Sequence, residues 1–275
     1  MYESHWNLSR RPFENWSDPA FYYPAEVHQT ALLKMRYAVE NRRAAVVLCG
    51  DSGMGKSLLV DALAEQLPET FSPIAKITFP QLPSEQLLGY TADELVGSPG
   101  TNDETARTAL KRLDRFFCNN LQAGHHAVLI VDEAQLLTRP DSLETLRLLL
   151  NLQRQQTEAE AALTLVLVGH ATLLSLIERN HALDERISVK CVLSRLNAAQ
   201  TAAYIQHRVG VAGAEADTIF TPEAIEMLHI RGGGIPRRIN RLADLALMVG
   251  YAEELDQVDA MHIDGVHQEL VSVTP

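Results

Sequence analysis

The chain has 275 residues, enough for one large domain or two smaller ones, and with 46% apolar and 21% charged residues its composition is globular rather than disordered. Its 24 basic and 35 acidic side chains leave a formal charge of −11, which in bulk repels nucleic acid and anionic membrane while leaving room for a local basic patch. No apolar run approaches the ~18 residues of a membrane span, Met1-Tyr2-Glu3-Ser4-His5-Trp6 lacks the layout of a signal peptide, and the three scattered cysteines (Cys49, Cys118, Cys191) suit free thiols in a reducing cytoplasm.

Residues 1–24 combine Tyr2, Trp6, Phe13, Trp16, Phe21, Tyr22 and Tyr23 with Pro12, Pro19 and Pro24. That much proline opposes a helix and that many aromatics oppose a solvated tail, so the segment reads as irregular chain packed on the body of the protein, covering core surface and framing one side of an adenine pocket. From Ala25 to Arg42 apolar residues recur at helical spacing. Ala44 to Cys49 reads as a strand, and a helix after the following glycine-rich loop runs to about Leu67, before Pro68. Ile74 to Phe79 reads as a second strand, and residues 80–103, rich in turn formers, as a mobile loop and a candidate working surface.

A helix is expected from about Glu104 to Ala123, followed by His125-His126, adjacent histidines that read as solvated turn residues rather than a metal pair. Ala127 to Glu133 is an apolar strand ending in two acids, roughly Asp141 to Gln155 a helix, and Leu163 to Gly169 a buried strand ending at His170. Arg179, Arg186 and Arg195 surround a strand over Ile187 to Leu193. Beyond Leu196 only helical spacings remain, at 198–211, 222–231, 236–251 and 261–270. The organisation expected is an aromatic segment (1–24), a P-loop α/β domain (25–196) and a small all-helical lid domain (197–275).

The chemistry centres on Gly50-Asp51-Ser52-Gly53-Met54-Gly55-Lys56-Ser57, a G-x-x-x-x-G-K-S run between strand and helix, continued by Leu58. Its glycines allow main-chain N–H groups to turn inward around a polyphosphate, Lys56 reaches the β- and γ-phosphates, Ser57 can ligate Mg²⁺, and the helix offers its positive end. A glycine-rich turn that binds nothing is the alternative, and the flanking strand and helix oppose it. Ligands gather at the carboxyl ends of strands in such sheets, which gives Asp132 the metal's water shell and Glu133 the attacking water; capping of the next helix is the competing use of the two acids. His170 is either a group aimed at the γ-phosphate or a capping or exposed histidine. Arg186 is either a surface arginine or a finger aimed at a neighbour's nucleotide. In Gly232-Gly233-Gly234-Ile235-Pro236-Arg237-Arg238, at the start of a helix, Arg237 either reaches back to the phosphates or is part of a basic surface loop.

Gly50 to Ser57, Val131-Asp132-Glu133-Ala134-Gln135, Leu167-Val168-Gly169, Glu185-Arg186-Ile187 and Gly233 to Asn240, with His5-Trp6-Asn7-Leu8, Pro12-Phe13 and Asp18 to Tyr23 near the start, together resemble the AAA+ ATPases of the general secretion pathway and MSHA-type pilus biogenesis, the ExeA and MshM type. The resemblance covers nearly the whole chain. It implies a parallel α/β sheet sandwiched by helices with a helical lid, Lys56 and Ser57 as Walker A, Asp132 and Glu133 as Walker B, Arg186 as a finger acting in trans, and Arg237 as second sensor. It also implies ATP and Mg²⁺ as ligands, a homo-oligomer as ring or open assembly, and a membrane-protein partner that recruits the chain to the inner face of the cell membrane. The family commonly has glutamine where this chain has His170, and its longer members continue into a membrane span and a peptidoglycan-binding domain, so a chain stopping at Pro275 resembles the shorter, cytoplasmic type. The expected function is a Mg-ATP hydrolase supporting assembly of a secretion system or type IV pilus. The alternatives are a DNA-associated AAA+ regulator of the transposition or replication-initiation type and a nucleotide-gated scaffold.

Overall fold

The computed structural model describes residues 1–15, 19–100, 105–152 and 161–272. Trp16 and Asp18 of the aromatic segment, residues 101–103 of the expected loop, Glu104, and the 153–155 end of the helix expected to reach Gln155 lie outside the described residues.

Five aliphatic runs form strands: β1 (Ala45–Cys49), β2 (Ile74–Ile77), β3 (Ala127–Val131), β4 (Leu163–Gly169) and β5 (Ile187–Val192). They make one sheet of order β2-β3-β4-β1-β5, every pair parallel. All residues of β1, β3 and β4 are buried, as strands covered on both faces must be. Edge strand β5 alternates, with Val192 55% exposed. Helix α1 (Glu26–Glu40) precedes the first strand, and α2 (Lys56–Gln66), α3 (Ser84–Val96), α4 (Ala106–Gln122), α5 (Pro140–Leu152), α6 (Thr172–Glu178) and α7 (His181–Asp184) connect the strands. After β5 the chain is helical: α8 (Ala198–Val211), α9 (Ala216–Ile219), α10 (Pro222–Gly232), α11 (Pro236–Ala252) and α12 (Ala260–Ser272). This is the α/β fold class that the sequence implies, a parallel sheet with flanking helices and a helical C-terminal region.

The chain forms two compact units, one of residues 30–51 and 59–193, the other of residues 1–29, 52–58 and 194–275. In the sheet unit Ala45, Val47 and Cys49 of β1 join Ala127, Leu129 and Val131 of β3 and residues of α3 to α7 in one apolar cluster. The alternate residues Val46 and Leu48 point the other way and are equally buried. In the helical unit Tyr2, Trp6, Leu8, Phe13 and Phe21 form a second core with α8 to α12. The aromatic segment, expected on the ATPase body, is therefore part of the helical unit's own core. Trp6 Nε1–H donates to Leu247 O at 3.0 Å, and the buried Arg208 guanidinium donates to the carbonyls of Pro12 and Glu14 and lies 4.8 Å from the Phe21 ring centroid.

Two further expectations are corrected. Residues 84–96, expected in a mobile loop, form α3: Leu87, Leu88, Thr91, Ala92 and Leu95 are buried on one face, and left-handed Gly97 (φ 70°) closes the last turn by donating to Asp93 O. Pro83 precedes this helix and Gly97 ends it, so the turn formers flank α3 instead of breaking it. His126, expected in solvent, is fully buried, with Nδ1 2.8 Å from Ala161 O and Nε2 2.9 Å from Thr164 Oγ1. Burial pushes its pKa down to about 4, so the ring is neutral and Nδ1–H donates to the Ala161 carbonyl.

In the unfolded chain the same imidazole takes its proton near pH 6.5. The folded pKa is the lower one, so the stability linked to His126 is present above pH 6.5 and is lost as pH falls toward 4. At about 1.4 kcal/mol per pH unit this contributes roughly 3–4 kcal/mol. Urea unfolding at pH 7 and 4.5 is expected to show a smaller acid loss in His126→Gln than in the natural chain. Equal losses in the two would remove the histidine from the acid response.

Candidate active site

Parallel register brings several strand ends level at the carboxyl edge of the sheet. Cys49 is opposite Gly169, and Val131 is opposite both Leu167 and Ile77, so Gly50-Asp51, Asp132-Glu133 and His170 leave the sheet at the same edge. Gly50 N–H donates to Gly169 O at 3.2 Å, extending the ladder by one bond. Asp51 Oδ1 is then 3.6 Å from His170 Nε2.

The Glu133 backbone is left-handed at φ 51°, an uncommon conformation for a residue with a Cβ, and its N–H donates to Asp132 Oδ1 at 2.9 Å. The Glu133 side chain caps no helix. It accepts from Gln135 Nε2, while Gln135 Oε1 accepts from His170 N–H at 2.9 Å. Asp132 Oδ2 is 3.9 Å from Lys76 Nζ, which is itself 3.4 Å from Asp61 Oδ1.

The rest of the glycine-rich loop, residues 52–58, belongs to the other unit. Gly53 and Gly55 both have φ 84°, and a Cβ on Gly53 would come 2.6 Å from Arg237 Cβ. Arg237 approaches because α11 begins there with Pro236 in its first turn, and Gly233 and Gly234 (φ 59° and 68°) turn the chain sharply out of α10. Arg237 N–H donates to Gly53 O at 3.2 Å, and its Nη1 is 3.4 Å from Ser52 Oγ. Beneath the loop the Met54 side chain is buried, and buried His28 donates from Nε2 to Met54 O at 2.8 Å. Desolvation pushes the His28 pKa down, so the bond is made by a neutral ring. Lys56 opens α2, and Ser57 is exposed in its first turn.

Arg186 is half-buried, with Nη2 2.6 Å from Asn151 Oδ1 and Nη1 3.4 Å from Arg147 O, both on α5 of the same chain. Sequence reasoning assigned no role to His28, Gln135 or Asn151. Gln135 carries a signal in its place two residues after the acidic pair, whereas His28 lies among the polar residues of an amphipathic helix, where only the apolar spacing is informative.

This inventory fits a nucleoside triphosphate with Mg²⁺. Gly53 and Gly55 hold a left-handed backbone that a side chain would strain, and the Ser57 hydroxyl that follows is of a kind that suits a metal keeping most of its water. Among the described residues no three His, Cys, Asp or Glu side chains gather to hold a metal by themselves, and no helix is long and apolar enough to cross a membrane.

A parallel sheet with G-x-x-x-x-G-K-S after its buried interior strand β1 and an acidic pair at the end of β3 defines a P-loop nucleotide-binding protein. The chain belongs to the AAA domain family, whose profile matches residues 39–177. It is 35% identical over 254 residues to general secretion pathway protein A of Aeromonas hydrophila, covering 92% of this chain and 45% of that protein, so it spans about half the length of this relative. Among solved structures, the Aeropyrum pernix ORC2 protein in its ADP form is 19% identical over 95% of this chain and 72% of its own (TM-score 0.68). A chain of Drosophila ORC bound to DNA is 16% identical over 98% and 66% (TM-score 0.70). The Thermotoga maritima RuvB Holliday junction branch migration motor is 17% identical over 94% and 72% (TM-score 0.59). At these identities the structures share the fold with this chain. The family and the fold together make it an AAA+ ATPase related to general secretion pathway protein A, with a fold that binds nucleotide.

Gly53→Ala introduces both a strained φ and a collision with Arg237, whereas Gly124→Ala introduces a similar strain (φ 80°) into open space. In thermal melts both variants are expected to lose stability, and only Gly53→Ala to lose the additional stabilisation by ATP. Full ATP stabilisation of Gly53→Ala would show that the loop tolerates the displaced Arg237.

Proposed function

We propose that this chain binds Mg-ATP and hydrolyses it, and that turnover supports assembly of a secretion system or type IV pilus at the cell envelope. The observation that carries the ATPase reading is the loop itself: Gly53 and Gly55 at φ 84°, leading into Lys56 and Ser57 at the start of α2. The envelope role is supported by the 35% identity to a protein named for the general secretion pathway.

In this reading Gly50 to Leu58 supply backbone donors to the phosphates, Lys56 adds a positive charge at the β- and γ-phosphates, and Ser57 and Asp132 hold the metal. The metal when bound supplies positive charge that offsets the charge developing on the transferred phosphoryl oxygens. Glu133 orients a water and takes its proton. Its backbone is fixed by the bond to Asp132, and one carboxylate oxygen is already engaged by Gln135, leaving the other for water. Arg237, held against Ser52 and Gly53, is the second sensor. His170 occupies the first-sensor position, where its ring also faces Asp51. Arg186 acts on the nucleotide of a neighbouring copy, and that use requires its release from Asn151. A partner at the inner face of the membrane recruits the assembly.

Lys56→Ala is expected to abolish ATP binding in a titration with a fluorescent nucleotide. Glu133→Gln is expected to keep the affinity and lose turnover by about 10²–10⁴-fold, the range for removal of a general base. An affinity for Lys56→Ala equal to that of the natural chain would defeat the nucleotide reading.

If Arg186 works in trans, Arg186→Ala binds ATP normally, loses most turnover, and regains part of it when mixed with Lys56→Ala protein. Undiminished turnover in the single variant would take Arg186 out of the site. Phosphate release with and without duplex DNA separates the envelope reading from the DNA-associated one, which the charge of −11 disfavours.

A further inference from the structure

We infer that Gln135 is a positioning residue for hydrolysis, a strut that sets the Glu133 carboxylate from the backbone at the end of β4. The inference rests on the proposed role of Glu133.

The orientation of the Gln135 amide is forced. His170 N–H is a donor and needs an acceptor, so Oε1 must face it, at 2.9 Å. Nε2 is thereby turned toward Glu133, whose carboxylate is an acceptor. A flipped amide would put N–H against N–H and oxygen against carboxylate, losing both bonds at once.

Space for the strut is made by Gly169. This residue ends β4 in ordinary extended backbone, where any side chain could serve, and glycine weakens a strand. A Cβ there would be 2.5 Å from Gln135 Oε1 and 3.3 Å from Gln135 N. Gly169 thus leaves room rather than supplying an unusual conformation, and the Gln135 amide shares that room with Leu173 Cδ2, 3.1 Å from the same Cβ position.

The consequence is a mechanical link within the sheet unit. Glu133 is exposed, and an unsupported glutamate side chain there would sample many rotamers. Gln135 restricts it and ties its position to the backbone of His170, whose ring is 3.6 Å from Asp51 at the entry to the glycine-rich loop. A change at the γ-phosphate that moves the end of β4 reaches the carboxylate through one side chain.

Gln135→Met keeps length and volume and removes both hydrogen bonds. Its kcat is expected to fall about 10- to 100-fold, as when a supporting partner of a catalytic group is lost. ATP affinity by nucleotide titration is expected to stay within about threefold and the melting temperature to shift little, a kcat-against-affinity split that simple loss of packing would not produce. Gln135→Glu keeps the acceptor for His170 N–H but faces Glu133 with a like charge, and is expected to lose at least as much turnover; it decides the question if the methionine variant folds poorly. Because the strut acts through Glu133, Glu133→Gln/Gln135→Met should be no slower than Glu133→Gln alone. Gln135→Met turning over within about twofold of the natural chain, with Glu133→Gln inactive, overturns the strut while leaving the base in place. Undiminished turnover in Glu133→Gln overturns the reading of Glu133, and the strut with it.

Discussion

Two parallel ladders hold β1, one to β4 and one to β5, and none of its five side chains reaches solvent. A slip of one residue would exchange the faces on which Ala45, Val47 and Cys49 pack, and burial on both sides forbids it. With Cys49 fixed opposite Gly169 and Val192, Gly50 and Asp51 have one place to emerge, beside His170. β3 is registered to β4 in the same way, which sets the level of Asp132 and Glu133. These polar side chains thus owe their positions to aliphatic packing several residues away.

That edge of the sheet unit is rich in negative charge. Asp51, Asp132 and Glu133 emerge there, and Lys76, beside Asp132, is also close to Asp61. A naked polyphosphate would be repelled by such a surface, whereas one already carrying a divalent cation would not. The chain's overall charge of −11 has the same sign.

The strands and the loop were legible in the sequence because each rests on a strong local signal: an unbroken aliphatic run, or glycines at fixed spacing before Lys-Ser. Leu163 to Gly169 was read with both ends as observed, and the helix at 198–211 likewise. Turn formers misled at 80–103, where Pro83 and Gly97 delimit a helix whose stripe of Leu87, Leu88, Thr91, Ala92 and Leu95 carries the better signal. His126 shows a different limit. A histidine next to a strand looks polar, and only the tertiary partners Ala161 and Thr164 make its burial tolerable. Gln135 and His28 act through hydrogen bonds to residues 35 and 26 positions away, and no periodicity carries that information.

The helical unit is assembled from chain segments that are remote in sequence. Trp6 donates to Leu247 and Arg208 to Pro12, contacts spanning 241 and 196 residues. During synthesis from the ribosome the first 29 residues therefore wait for nearly all the rest, while the sheet unit, drawn from residues 30–193, has its strands much earlier. Contacts of such high order form slowly, and until they do, Tyr2, Trp6, Phe13 and Phe21 have no core to enter. The nascent chain thus carries an aromatic segment that has no folded partner for most of its production.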